Sequence, residues 1–271
     1  MHTVSDSKTP TYLSLPPIES GRRVLFLSDV HLPLYATSDG QSRVDNFLSW
    51  LQEIGPGVQY LFLVGDIFDF WFEYKNVIPR SYFPILAELH RIASQSSVFF
   101  TGGNHDMWVG DYIEKEIGIT CLDPIQCIQI DGKYFYLAHG DGLGETARLY
   151  KWLKKHILTS TLGLKCFRLL HPDIGFLIAK RFCRVERRQN RKYIKGRSTQ
   201  ILMDYSKKIQ IQRQQEGAIP IDYFIMGHSH EATLQSLNEK SQYLNPGSWM
   251  GDSIHYGEYI PKKGLLLRKF R

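Results

Sequence analysis

Five short apolar runs in this 271-residue chain end in side chains of one chemical kind. The runs are VLFLSD (24–29), YLFLVGD (60–66), VFFTGGN (98–104), YFYLAHG (134–140) and YFIMGHSH (223–230). Each is short and rich in β-branched or aromatic residues, so each reads as a buried strand. At or just past their ends stand Asp29-Val30-His31, Gly65-Asp66, Gly103-Asn104-His105-Asp106, His139-Gly140-Asp141 and Gly227-His228-Ser229-His230. Residues just beyond the carboxyl ends of strands gather in one crevice in open α/β sheets, so these distant blocks are expected to converge. A lone buried histidine is commonly a satisfied core residue. Five of the ten histidines, repeated at strand ends, do not fit that explanation.

Helical periods fill the intervals: roughly Ser42 to Ile54, Ser81 to Ser94 with Phe83, Leu86, Ala87 and Leu89 on one face, and Asp111 to Ile117. The alternation predicts an α/β domain whose strands are buried on both faces. After His139 the rhythm changes. Residues 146–213 hold 18 Lys+Arg against 3 Asp+Glu, whereas the rest of the chain holds 15 against 24. Tyr150, Leu153 and Ile157 recur at helix spacing beside Lys151, Lys154 and Lys155, as do Ile174, Leu177, Ile178 and Phe182 beside Lys180, Arg181 and Arg184. This is an inserted basic helical cap at about 143–216. Late strands then follow around the Asn-Pro-Gly turn of YLNPGSWM and in LLLRKF.

The expected organisation is therefore a flexible arm at 1–20 and one domain at 21–271 carrying the cap. The arm has no basic start followed by an apolar block, so it is not expected to be a secretory signal. No apolar run reaches the 18 or so residues that span a bilayer. Cys121, Cys127, Cys166 and Cys183 form no CxxC pair, which favours packed thiols in a reducing compartment over a disulfide framework. The basic cap calls for an anionic partner, whether phosphate, a membrane surface or nucleic acid. No helix-turn-helix, RNA-binding strand motif or stacking platform accompanies it, so nucleic acid is not expected.

Imidazole, carboxylate and amide oxygen together suit Mn²⁺, Fe²⁺ or Zn²⁺, and the lack of thiolates argues against a structural zinc knot. Seven candidate ligands are too many for one ion. They fit two ions sharing one carboxylate, about 3.5–4 Å apart. His2, His90, His156, His171 and His255 lack this context and read as structural or surface residues. Asp106 reads as orienting a neighbour rather than binding metal. Asp69 is near enough to hydrogen-bond a ligand histidine, or is a plain turn residue.

D-x-H, GD, GNHD, HGD and GHxH in this order resemble the calcineurin-like metallophosphoesterases. The resemblance implies a β-sandwich flanked by helices, a four-layer α/β architecture. It assigns Asp29, His31 and His230 to one metal, Asn104, His139 and His228 to the other, and Asp66 to both. It gives His105 the role of donating to a phosphate oxygen or protonating the leaving group. GDIFDFWFEY (65–74), GNHDMW (103–108), HGDGLG (139–144) and DYFIMGHSH are similar to the UDP-2,3-diacylglucosamine hydrolase branch of lipid A biosynthesis.

That similarity implies two-metal, in-line attack of hydroxide on the pyrophosphate of a nucleotide-sugar lipid, giving UMP and 2,3-diacylglucosamine 1-phosphate. Mn²⁺ is the first choice of ion. It also implies Asn104, His105, Tyr150, Arg191, Lys195 and Arg197 as substrate contacts, and a cytoplasmic protein lying peripherally on the inner membrane. Three features depart from the enterobacterial form. His105 stands where that form has arginine, Thr146 and Ala147 replace an acidic pair, and KGRSTQ (195–200) does not align with its serine-lysine pattern. The alternative is a metallophosphodiesterase or phosphatase acting on a nucleotide or phosphoprotein.

Overall fold

The computed structural model describes residues 12–35, 38–144, 160–190, 196–251 and 253–270. In chain order the elements are β1 (Tyr12–Ser14), β2 (Arg23–Leu27), α1 (Ser38–Ile54), β3 (Val58–Val64), α2 (Phe83–Ala93), β4 (Ser97–Thr101), β5 (Thr120–Cys121), β6 (Ile125–Ile130) and β7 (Lys133–Ala138). There follow α3 (Thr161–Arg168), α4 (Pro172–Asn190), α5 (Arg197–Gln215), β8 (Tyr223–Met226), β9 (Thr233–Ser236), β10 (Gln242–Asn245), β11 (His255–Ile260) and β12 (Gly264–Lys269).

The strands form two six-stranded mixed sheets, ordered β12-β11-β2-β3-β4-β5 and β1-β6-β7-β8-β10-β9. Alternation along each strand explains how they stack. On β2, Val24 and Phe26 face the second sheet, where they meet Phe135, Leu137 and Ile225. The intervening Leu25 and Leu27 pack instead with Phe47, Trp50 and Leu51 of α1 and Leu86 and Leu89 of α2. The outer face of the second sheet carries Tyr136, Phe224 and Tyr243, covered by Leu202 and Met203 of α5. The layers run helices, sheet, sheet, helix. Strands buried on both faces are thus shared between two sheets, with β2, β3 and β4 in one and β7 and β8 in the other.

Two local expectations change. Residues 12–14, expected in a flexible arm, form an edge strand parallel to β6, and Tyr60 Oη donates to the Pro16 carbonyl at 2.8 Å. The stretch from Asp111 ends in a widened helical turn, Ile113–Ile117, closed by Gly118 at φ 83°. No helix among the described residues is long and apolar enough to cross a membrane.

Candidate metal centre

Parallel pairing brings the ends of β2, β3 and β4 together, and the ends of β7 and β8 likewise. The loops beyond them are then stitched by main-chain hydrogen bonds. Asp29 N donates to Gly65 O, His31 N to Asp66 O, Trp71 N to His105 O, and Gly227 N to His139 O, at 2.8–3.2 Å. Asp29, His31, Asp66, His228 and His230 all adopt left-handed backbone, with φ between 52° and 66°. Only Asp131 and Lys262 do so among the other described non-glycine residues. Such strain concentrates where the surroundings over-determine a functional geometry.

Asp106 is the organiser that its sequence position suggested. Its buried carboxylate accepts from the main-chain N–H of Gly103, Asp66, Ile67 and Phe68 at 2.8–3.2 Å, locking the GNHD loop onto the GD loop. Asp66 is gripped in turn, because His105 N–H donates to its Oδ1 at 2.9 Å. That leaves Oδ2 facing inward. It lies 3.2 Å from His139 Nε2, 3.8 Å from His31 Nε2 and 4.0 Å from His105 Nε2. Asp66 Oδ2 thus stands between the His139 ring and the His31 ring, while Asp29 lies 3.2 Å from His230 Nε2 and accepts from the His228 main-chain N–H at 3.0–3.1 Å.

The ligand set expected at the first metal is compact. One donor atom from each of Asp29, His31, Asp66 and His230 lies within 4.8 Å of all the others. His31 Nε2 and His230 Nε2 stand 3.2 Å apart, and His230 Nε2 is 3.2 Å from Asp29 Oδ1. Of the second set, His139 meets Asp66 from another side, with His228 beside it. His139 and His228 have ring centroids 5.3 Å apart, and Asn104 sits in the loop between Gly103 and His105. His139 Nδ1 hydrogen-bonds the Val64 carbonyl at 3.1 Å, which fixes the tautomer and leaves Nε2 toward Asp66. That Nε2 is buried against the Asp66 carboxylate, 3.2 Å from Oδ2. Converging imidazole nitrogens with carboxylate oxygens between them are the donors a divalent cation takes, so these residues fit such an ion.

Electrostatics agree. Burial raises a carboxyl, but the imidazoles of His139, His105 and His31 outweigh it and hold Asp66 well below the carboxylate range. Asp29 is likewise held low, burial being outweighed by His230 and His139. Burial lowers His31, which keeps its ring neutral and its lone pair available. His139 behaves oppositely. Burial acts to lower it, but Asp66 raises it to about 10.

His105 is buried, and its Nδ1 hydrogen-bonds the Asp69 carbonyl at 2.8 Å, which directs Nε2 to the centre. Asp69 also reaches His31, Oδ1 to Nδ1 at 3.6 Å, and so stands behind a ligand histidine. Sequence reasoning missed two supports. Arg43 of α1, buried, donates to the His31 carbonyl. Asn245, fully buried at the end of β10, donates from Nδ2 to Gly227 O at 2.8 Å and Ser229 Oγ at 2.7 Å. The Asn-Pro-Gly turn was the available signal for Asn245, and nothing in the sequence singled out Arg43.

Of the expected substrate contacts, Tyr150, Arg191 and Lys195 lie outside the described residues, as do Leu153 and Ile157. Arg197 is exposed at the start of α5. That helix end adjoins the centre, because Thr199 Oγ1 donates to Glu231 Oε2 at 2.8 Å and lies 2.9 Å from Ser229 Oγ. Helices α3 and α4 approach from the Asp69 side. Phe167 packs on Phe72 with ring centroids 4.5 Å apart, and Lys180 Nζ lies 4.2 Å from the Tyr35 ring centroid.

The calcineurin-like phosphoesterase profile matches residues 22–232. A UDP-2,3-diacylglucosamine hydrolase of Porphyromonas gingivalis is 26% identical over 254 residues, covering 90% of this chain and 95% of the relative. Another, from Photorhabdus laumondii, is 28% identical over 232 residues, covering 83% and 90%. Among solved structures, a dimetal phosphatase from Danio rerio superposes with a TM-score of 0.50 at 13% identity, covering 93% of this chain and 96% of that one, a likeness of fold. The profile spans all five ligand blocks and the strands from β2 to β8, and the chain is accordingly a metal-dependent phosphoester hydrolase that belongs to the calcineurin-like phosphoesterase family.

Proposed function

We propose that this chain hydrolyses the pyrophosphate bond of UDP-2,3-diacylglucosamine, releasing UMP and 2,3-diacylglucosamine 1-phosphate. The observation that carries this reading is a set of exposed apolar side chains on α4 and in the turn that precedes it. Leu169 is 87% exposed and Leu177 64%, with Ile174 and Ile178 about half exposed. Ordinary helices bury such residues, and an exposed contiguous set marks a surface for an apolar partner. Lys165, Arg168, Lys180 and Arg181 flank it. On the same flank a cavity of about 990 Å³ opens between the loop after β3, α2 and Arg168, with Val77, Ile78, Phe83 and Leu86 on its walls beside both basic residues (Lys75, Lys115) and acidic ones (Glu73, Asp111, Glu116). A lipid with an anionic head group matches both chemistries. The names of the two bacterial relatives support the same substrate.

In this reading Asp29, His31 and His230 hold one divalent ion, Asn104, His139 and His228 hold the second, and Asp66 is common to both. Bound there, such ions, Mn²⁺ first and Fe²⁺ or Zn²⁺ as alternatives, supply Lewis acidity that makes water acidic and offsets phosphate charge. The chain's own groups do the rest. His105 Nε2, aimed by the Asp69 carbonyl, hydrogen-bonds a phosphate oxygen or protonates the departing one. Asp69 holds His31 in its ligand orientation. Asn104 offers its amide to the phosphate as well as to the ion. Tyr150, Arg191, Lys195 and Arg197 are assigned to the substrate's head group. The apolar and basic helix face suits peripheral contact with an anionic cytoplasmic leaflet.

The test is hydrolysis by purified protein in detergent with Mn²⁺, with UDP-2,3-diacylglucosamine, UDP-N-acetylglucosamine and bis-p-nitrophenyl phosphate as parallel substrates and a chelator control. Preference for the diacylated substrate with UMP released is the expected result. Turnover of the small diester alone would discard the lipid substrate and leave a nucleotide phosphodiesterase.

A further inference from the structure

We infer that the hollow between His230 and His255 is the subsite for the uncharged nucleoside half of the substrate, a deduction that rests on the proposed pyrophosphate reading. The hollow measures about 410 Å³ and is lined by His230, Ala232, Ser248, Gly251, Ser253 and His255. It begins at a ligand histidine, so anything bound there is adjacent to the reacting phosphates. His255, which its sequence context left as a structural or surface residue, opens β11 and lies on the hollow's wall.

The hollow and helices α3 and α4 lie on opposite flanks of His31. Asp69 meets His31 at Nδ1 and His230 meets the same ring at Nε2, so the two lie on opposite edges of the imidazole. Helices α3 and α4 pack on the Asp69 side, through Phe70, Phe72 and Tyr74. The hollow lies on the His230 side. The two flanks differ in kind. One offers leucine, isoleucine, aromatic rings and cations. The other offers two hydroxyls, two imidazoles and a glycine backbone, with no Lys or Arg among its described lining residues and only Ala232 as a purely aliphatic side chain; Asp252, between Gly251 and Ser253, lies outside the described residues.

A nucleotide-sugar lipid has two halves of matching kinds. Its acylated sugar needs apolar surface, and its uridine carries neutral hydrogen-bond donors and acceptors on base and ribose. Serine hydroxyls and imidazole can each donate and accept, which is the complement of a pyrimidine edge or a ribose diol. A phosphate or a second acyl chain would leave this lining poorly matched, the one lacking cations and the other lacking apolar walls. The geometry therefore assigns His255, Ser253 and Ser248 to nucleoside recognition.

The experiment uses the full-length, Mn²⁺-loaded enzyme as wild type, His255→Ala, His255→Gln and Ser253→Ala. It measures the ratio of kcat/KM on UDP-2,3-diacylglucosamine to that on bis-p-nitrophenyl phosphate, together with inhibition by UMP and by inorganic phosphate. Losing one neutral hydrogen bond lowers the ratio about three- to tenfold in each alanine variant and weakens UMP inhibition in step. His255→Gln, which keeps a donor and an acceptor, recovers part of the ratio. If wild type cleaves the lipid substrate but the variants keep its ratio and its UMP inhibition, the subsite is wrong and the substrate stands. If wild type cleaves only the small diester and ignores UMP, both fall together. Hydrolysis of the small diester by each variant shows that it has folded.

Discussion

Gly103 is a glycine because Asp66 occupies the space a side chain would need. A Cβ placed on Gly103 would stand 2.2 Å from Asp66 Oδ1 and 2.7 Å from the Asp66 main-chain nitrogen. Gly227 makes the same concession to Asp29, whose Oδ2 would be 2.6 Å from an added Cβ. The loop of one strand thus leaves room for the ligand of another, and the centre closes only when several strand ends are correctly placed.

Gly103→Ala is expected to lose bound metal and activity together while the sandwich persists. Overpacking of this kind costs about 1–3 kcal/mol, and here the neighbour that must move is the shared carboxylate. Metal content by elemental analysis, read beside thermal unfolding, checks this. A variant with wild-type metal content and turnover would contradict it.

Asp66→Ala is expected to deplete metal beyond what either outer ligand would cost alone. His230→Ala leaves Asp29, His31 and Asp66 in place, whereas Asp66→Ala takes a donor from both histidine groups. Turnover should fall by at least about a hundredfold, in line with the loss of a principal electrostatic group. Stoichiometry measured after dialysis against limiting Mn²⁺ separates the two variants. Near-normal turnover in Asp66→Ala would refute a shared ligand.

Metal uptake should release protons, and the source can be named. Burial favours a neutral His139, but the adjacent Asp66 carboxylate raises it to about 10, so at pH 7 this ring carries a proton in the metal-free protein. A ligand imidazole must be neutral, so that proton leaves on binding. Apparent affinity therefore strengthens as pH rises from 6 toward 9 and weakens as it falls. Calorimetric titration with Mn²⁺ in two buffers of different ionisation enthalpy gives the number directly. Equal heats in both buffers would mean no proton is displaced.

The convergence of Asp29, His31, Asp66 and His230, with His139 against Asp66, was legible in the sequence, and the reason is chemical: they stand at strand ends, where few other needs call for imidazole and carboxylate together. The assignment of strands to sheets was not legible. Val24 and Leu25 are equally apolar, though one faces a sheet and the other faces helices. Strand β1 escaped notice because Tyr12–Ser14 is short and joins the edge through main-chain bonds that any sequence can make. Asp69 was ambiguous for a related reason: its significance depends on His31, thirty-eight positions earlier. Asn245 and Arg43 act on backbone carbonyls, which leave no mark in the residues that supply them.

Asn245→Ala gives that last point a measurable form. The amide spans Gly227 O, Ser229 Oγ and the Gly247 main-chain N–H at 2.7–2.8 Å, the first and last of these in a buried setting. Removing it strands at least one buried polar group, at about 1–3 kcal/mol, and frees the loop carrying His228 and His230. Weaker Mn²⁺ binding is expected, with partial recovery in Asn245→Asp, which keeps an acceptor for Gly247 but loses the donors. If Asn245→Ala lowered stability while leaving Mn²⁺ affinity intact, the residue would be supporting the strand rather than the ligand loop.

The exposed helix face offers the sharpest separation between the lipid reading and its nucleotide rival. Leu169 and Leu177 are largely solvent-accessible, so replacing them should change stability by no more than about 0.5 kcal/mol. Leu177 stands on α4 and Leu169 in the turn between α3 and α4, the helices whose Phe167 and Phe176 pack on Phe72 and Tyr74, and Gly175 sits so close to Tyr74 that an added Cβ would meet its hydroxyl. The helices are therefore docked firmly enough to present a fixed apolar surface beside the centre. Burying a leucine side chain against an acyl chain contributes about 1.5–3 kcal/mol. Leu169→Gln with Leu177→Gln should consequently raise KM for the diacylated substrate at least tenfold. A water-soluble UDP-sugar gains nothing from that surface, so the diacylated-to-soluble preference should narrow by the same factor. A double variant that lost both activities equally would place these leucines in the fold rather than in the substrate's path, and one that lost neither would favour the nucleotide phosphodiesterase.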